Sequence, residues 1–133
     1  MDIDALKELR AKVSNGTART AGDTSDFTLA FPDRSEFWDQ DPATRAIGAY
    51  IGYLDSAKAL HEAVLPGWSW LVRTTDDRDV AFGNCGPECK AMANIWGAES
   101  PNEGGVHFHV FAATPARAWL LAILDALIAE AAE

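Results

Sequence analysis

Leu60-His61-Glu62-Ala63-Val64-Leu65-Pro66-Gly67-Trp68-Ser69-Trp70-Leu71-Val72-Arg73 is the stretch in which the chain changes period. Before the Pro-Gly step, Ala57, Leu60, His61 and Val64 recur at helical spacing over residues 55–64, and Pro66-Gly67 ends that helix. After it, Trp68, Trp70 and Val72 alternate with Ser69, Leu71 and Arg73, which is a strand period, and Asp76-Asp77 follows as a turn signal. A helix that passes into a strand through one tight turn predicts an α+β fold.

Toward the C-terminus, residues 80–83, 91–96 and 106–111 are the remaining strand candidates, separated by Gly86-Pro87 and by a loop over residues 99–105. That makes a small sheet of about four strands. It is expected to be mainly antiparallel, because links this short do not carry parallel crossovers. Thr114-Pro115 then reads as a capping threonine followed by a proline at the first helical position. Leu120, Ile123, Leu124, Leu127 and Ile128 form the buried stripe of the closing helix. At about 1.5 Å per residue its run to Glu130 extends roughly 25 Å, enough to cross a small sheet.

Toward the N-terminus, Asp41-Pro42 opens a helix that runs through Tyr50 or Tyr53. Phe27, Leu29 and Phe31 alternate around Pro32 and give at most a brief strand within residues 26–38. Ile3, Leu6, Leu9 and Val13 place a short amphipathic helix over residues 4–14, with Asn15-Gly16 as its stop. Residues 17–25 are rich in Gly, Ser, Thr and Asp and carry no period, so residues 1–25 read as a short helix with a flexible connection. The expected order is α-α-α-β-β-β-β-α in one domain over residues 1–133.

Composition agrees with one folded domain: 133 residues, 48% apolar and 23% charged. The net charge of −9 disfavours direct contact with nucleic-acid phosphates and with anionic membranes, and suits a basic protein partner better. Met1-Asp2-Ile3-Asp4 has neither the basic start nor the apolar run of a signal peptide, and no stretch resembles a membrane span. A cytoplasmic location is expected, in which Cys85 and Cys89 stay reduced.

The succession Tyr53-Leu54-Asp55-Ser56-Ala57, Leu65-Pro66-Gly67-Trp68, several short strands and Ala113-Thr114-Pro115-Ala116-Arg117-Ala118 resembles small phage and prophage proteins of the phage ABA-sandwich type. The resemblance covers Tyr53 to about Ala129. It implies a helix–sheet–helix sandwich and a phage or prophage setting, and brings no catalytic residues with it. The segment from Cys85 to Cys89 and the strand His107-Phe108-His109 depart from that pattern.

Those departures are also the strongest chemical candidates. Two thiolates, Cys85 and Cys89, and two imidazoles, His107 and His109, are a donor set for tetrahedral zinc, and histidines two apart on a strand share a face. Against zinc stand the three residues between the cysteines, one of them Pro87, and the habit of alternate strand histidines of lying on the wet face while Val106, Phe108 and Val110 point inward. Cys85 as a nucleophile with a histidine base is a weaker reading. His61, beside Glu62, has no nucleophile to serve and reads as a surface or half-buried structural histidine. Asp76, Asp77 and Asp79 lack calcium-loop spacing, and Gly83, Gly86, Gly104 and Gly105 form no phosphate-binding fingerprint.

Five tryptophans are many for this length, and aromatic residues dominate binding hot spots. Trp68, Trp70 and Trp96 are the partner-binding candidates, and an apolar sheet face also favours a homodimer. With no catalytic constellation in view, the expected function is binding rather than catalysis. The expected protein is a small phage or prophage accessory protein that inhibits a host defence system by covering a host or phage protein surface or sequestering a small-molecule ligand. The alternative is a zinc-binding domain or small metal-dependent enzyme built on Cys85, Cys89, His107 and His109.

Overall fold

A computed structural model describes residues 2–20, 25–33, 37, 40–75, 90–97 and 107–132. Five helices and three strands occupy them: α1 (Ile3–Asn15), α2 (Asp26–Ala30), α3 (Pro42–Tyr50), α4 (Leu54–Val64), β1 (Ser69–Thr74), β2 (Ala91–Trp96), β3 (His107–Ala112) and α5 (Pro115–Ala132). The fold is α+β, and the strands pair antiparallel in the order β1-β2-β3. The strand expected over residues 80–83 lies outside the described residues.

Each boundary has a local cause. Asp2 caps α1 by accepting from the Asp4 N–H at 3.0 Å. Gly16, at φ 73°, ends the helix with Gly16 N–H donating to the Val13 carbonyl and Thr17 N–H to that of Lys12. Pro42 sits in the first turn of α3, with Asp41 at the N-cap position. Thr114 Oγ1 accepts from the Arg117 N–H at 3.1 Å and caps α5.

Residues 26–30 overturn the short strand expected there. The apparent alternation of Phe27, Leu29 and Phe31 is half of a helical pattern, because Phe27, Ala30 and Phe31 are buried while Leu29 is exposed. Ser25 Oγ accepts from the Thr28 N–H at 3.1 Å, the capping bond that a strand has no use for. Asp26 is also drawn inward. Its carboxylate accepts from Lys12 Nζ and from the Arg19 N–H, each at 2.8 Å, and so ties the connection after α1 to the body.

α5 is the centre of the molecule. It is apolar on every side, with Ala116, Trp119, Leu120, Ile123, Leu124 and Leu127 buried, and such a helix must be covered all round. One side packs on the sheet; α1, α3 and α4 cover the others. Among the described elements, α5 alone packs substantially on the sheet, so the described helices lie on one side of it. The apolar circumference of α5 recruits a second helical layer behind itself.

The first helix is docked on the body. Leu6, Leu9 and Val13 are fully buried, and Arg10 Nε meets Asp125 Oδ1 of α5 at 2.9 Å. α3 and α4 form a tight hairpin in which the backbone at Gly48 approaches Ser56 so closely that a Cβ on residue 48 would lie 2.7 Å from the Ser56 Cβ. Arg117 closes the end of this layer, donating from Nη2 to the Tyr50 carbonyl at 3.2 Å with its guanidinium 4.6 Å from the Tyr50 ring centroid.

Candidate functional site at the open edge of the sheet

Register sorts the strand side chains. Trp70 faces Ile95 and then Phe108 across the ladder, while Val72 faces Ala93 and Val110. That set points toward α5. Leu71, Asn94 and His109 form the next row, on the opposite face, with Trp96 paired to His107 and Met92 to Phe111.

Among the described strands β1 is an edge, and its Trp70 covers the flank of the core. The Trp70 ring lies 5.3 Å from that of Trp119 and 4.9 Å, edge to face, from that of His61. His61 is only 1% exposed. Its Nδ1 is 3.0 Å from Trp119 Nε1, and its Nε2 is 3.0 Å from the Trp68 carbonyl oxygen. An indole N–H only donates, so Nδ1 must accept, and the imidazole proton resides on Nε2, which donates to Trp68. Burial holds the His61 pKa below its ordinary 6.5, against the raising effects of the Trp68 carbonyl and the Glu62 charge. A neutral ring with both nitrogens committed has nothing left for proton transfer. His61 is a brace joining α4, the turn before β1, and α5, buried more deeply than its sequence neighbourhood indicates.

Outside this brace the surface opens. Leu54, Asp55 and Lys58 of α4 and Trp70, Leu71 and Val72 of β1 line a groove of about 380 Å³ floored by Trp119. A second hollow of about 290 Å³ adjoins it at Trp70 and is bounded by Glu62, Leu65, Pro66 and Trp68. Leu54, Trp70 and Leu71 are 46%, 37% and 48% exposed, and Ile51 and Tyr53 just before α4 are also exposed. Large apolar side chains that stay wet together are the usual mark of a contact surface.

The three tryptophans singled out from sequence do not share one surface. Trp68 and Trp70 flank the α4–β1 hollows, with Trp68 packed 6.1 Å from Phe108, whereas Trp96 stacks on His107 at 5.8 Å on the other face. His107 and His109 are exposed on that same face, and Val110 is buried, as the alternation predicts. Cys85 and Cys89 lie outside the described residues, as do Asp76, Asp77 and Asp79. Among the described residues no group of three or more His, Cys, Asp or Glu side chains is placed to hold a metal ion. No helix of the described residues is long and apolar enough to cross a membrane.

Sequence reading found Trp70 and missed the groove that makes it accessible. Leu54, Asp55 and Lys58 belong to the solvent side of a predicted helix, and only the packing of α4 beside α5 brings them opposite β1. Compared with family models, curated proteins and solved structures, the chain matches none.

Proposed function

We propose that this chain is a binding protein without catalytic activity, and that it recognises its target through the α4–β1 groove. The observation that carries the reading is the exposure of Leu54, Trp70 and Leu71 around a groove of about 380 Å³, next to a histidine whose two nitrogens are both engaged structurally. An apolar groove with an aromatic floor offers the anchor that binding surfaces concentrate, and among the described residues it presents no nucleophile, base and oxyanion donor in one place. The resemblance of the 53–129 segment to phage ABA-sandwich proteins supports a cytoplasmic phage or prophage accessory protein, with the fourth strand expected over residues 80–83. In that setting the task is to cover a protein surface or hold a small ligand, as an inhibitor of a host defence system does.

Zinc binding by Cys85, Cys89, His107 and His109 is the competing reading, favoured by the two imidazoles exposed on one sheet face. Native mass spectrometry of the full chain, recovered from the cells that naturally produce it, separates the two. An added protein or ligand mass that disappears in Leu54→Glu, at unchanged melting temperature, supports the groove. An added mass indifferent to that substitution overturns it. One zinc per chain, lost in Cys89→Ser, supports the metal.

A further inference from the structure

We infer that the α4–β1 groove is filled by a segment of a basic protein partner, which sets an arginine against Glu62, Trp68 and Trp70 and an apolar side chain on Trp119. The inference rests on the groove being the recognition surface and names the chemistry of its occupant.

The two hollows differ in character. The larger is walled by Leu54, Leu71 and Val72 and floored by Trp119, which suits an apolar side chain. The smaller sets the indoles of Trp68 and Trp70 beside one carboxylate, that of Glu62. His61 also lines it, but both ring nitrogens are committed inside the fold. Indoles next to a carboxylate are the surroundings that hold a guanidinium, whose plane lies on a ring while its N–H groups donate to the oxygens.

The charges ask for the same occupant. Asp55, Lys58 and Glu62 line the two hollows, two carboxylates against one ammonium. Arg73 lines neither, and its Nη1 donates to the Thr74 carbonyl at 2.9 Å. Lys58 Nζ lies 3.3 Å from Glu62 Oε1, but both side chains are more than half exposed, so that pair is weak and easily exchanged. Among the described residues Asp55 makes no salt bridge. Asp55 and Lys58 are three apart on α4 and therefore neighbours on its surface. An arriving guanidinium takes over Glu62, Lys58 turns to Asp55, and every charge lining the hollows is then paired. The groove is one cation short of neutral in a chain whose net charge is −9, a field that also draws a basic partner in. A second copy of this chain, or a nucleic acid, brings further negative charge to the same place.

The layout favours a protein segment over a small cation. Both hollows have Trp70 in their walls. A chain laid across Trp70 lowers one side chain on either side of it, whereas a compact ligand fills one hollow and leaves the other wet. In an extended segment the two side chains belong to alternate residues, which point the same way.

A randomised peptide library selected on the immobilised full chain tests this, with the Kd of the enriched peptide then measured by fluorescence anisotropy. The enriched peptides are expected to carry an arginine two residues from a large apolar residue. Exchanging that arginine for citrulline, its uncharged isostere, should weaken binding on the order of 10-fold in the wild type and have no effect in Glu62→Gln. General attraction to the acidic surface survives Glu62→Gln and is told apart by it. Peptides enriched without a cation overturn the inference, and so does a selection that enriches nothing. A citrulline penalty that persists in Glu62→Gln overturns it too. Leu54→Ser removes part of the apolar wall without changing charge: a peptide lost in that variant but indifferent to citrulline leaves the groove standing without the arginine, and one indifferent to both variants takes the groove reading down as well. Agmatine, a guanidinium on a short amine chain, should compete only far above the Kd of the peptide; competition at the same concentration marks a small-molecule site and overturns the protein partner.

Discussion

Protonation of His61 should cost the fold stability as pH falls below 6.5. In the native chain the ring is neutral, 1% exposed, and fixed by Trp119 Nε1–H at Nδ1 and the Trp68 carbonyl at Nε2, each at 3.0 Å. Adding a proton to Nδ1 turns an acceptor into a donor facing another donor, so protonation has to break the Trp119 bond. The folded pKa is therefore lowered, chiefly by burial, while the unfolded chain titrates near 6.5. The sign follows. Above 6.5 both states are neutral and the full stability is present; as pH falls below 6.5 the unfolded state takes up the proton first and stability declines until the folded value is reached. The limiting slope for one such group is about 1.4 kcal/mol per pH unit. Urea unfolding followed by tryptophan fluorescence, between about pH 7.5 and pH 5, measures it directly. His61→Gln removes the titration and preserves a donor toward Trp68, but leaves the buried Trp119 N–H unsatisfied. It should cost about 1–3 kcal/mol at neutral pH and flatten the profile in that window. If His61→Gln retains the wild-type slope, the neutral, doubly bonded histidine is the wrong account.

Two further perturbations probe other joints of the fold. Gly48→Ala gains helix propensity of about 1 kcal/mol but drives a methyl group into Ser56, and it should destabilise by about 1–3 kcal/mol net in thermal unfolding, with Ser56→Gly restoring most of the loss. Burial raises the pKa of the Asp26 carboxyl, yet the Arg19 N–H and the Lys12 ammonium outweigh burial and hold it below 3.8. Its contribution is thus present above 3.8 and lost as pH falls through the lower folded value. Asp26→Asn should lower the denaturation midpoint at neutral pH and shrink the additional loss seen on acidification below 3.8.

The parts legible in the sequence are those whose cause is local. Gly16 after α1, Pro42 at the start of α3, Pro66-Gly67 after α4 and Thr114-Pro115 before α5 all act within a turn of themselves, and the helix and strand boundaries they predict lie close to those observed. The error at residues 26–30 is local too. Five residues hold too few repeats to separate period 2 from period 3.6, and Ser25 as a cap was the signal that decides it. The groove is a different matter. His61 and Trp119 are separated by 58 positions, and nothing near either residue announces the other. What the sequence does contain is an α5 without a polar face, and a helix of that kind cannot end against a sheet on one side and water on the other. It requires a second helical layer, and the α3–α4 hairpin supplies it. Because α4 then lies against α5 beside β1, not over the strand, its first turns and the strand enclose an opening floored by Trp119. The exposed Leu54 and Trp70 are thus a consequence of how the core is closed.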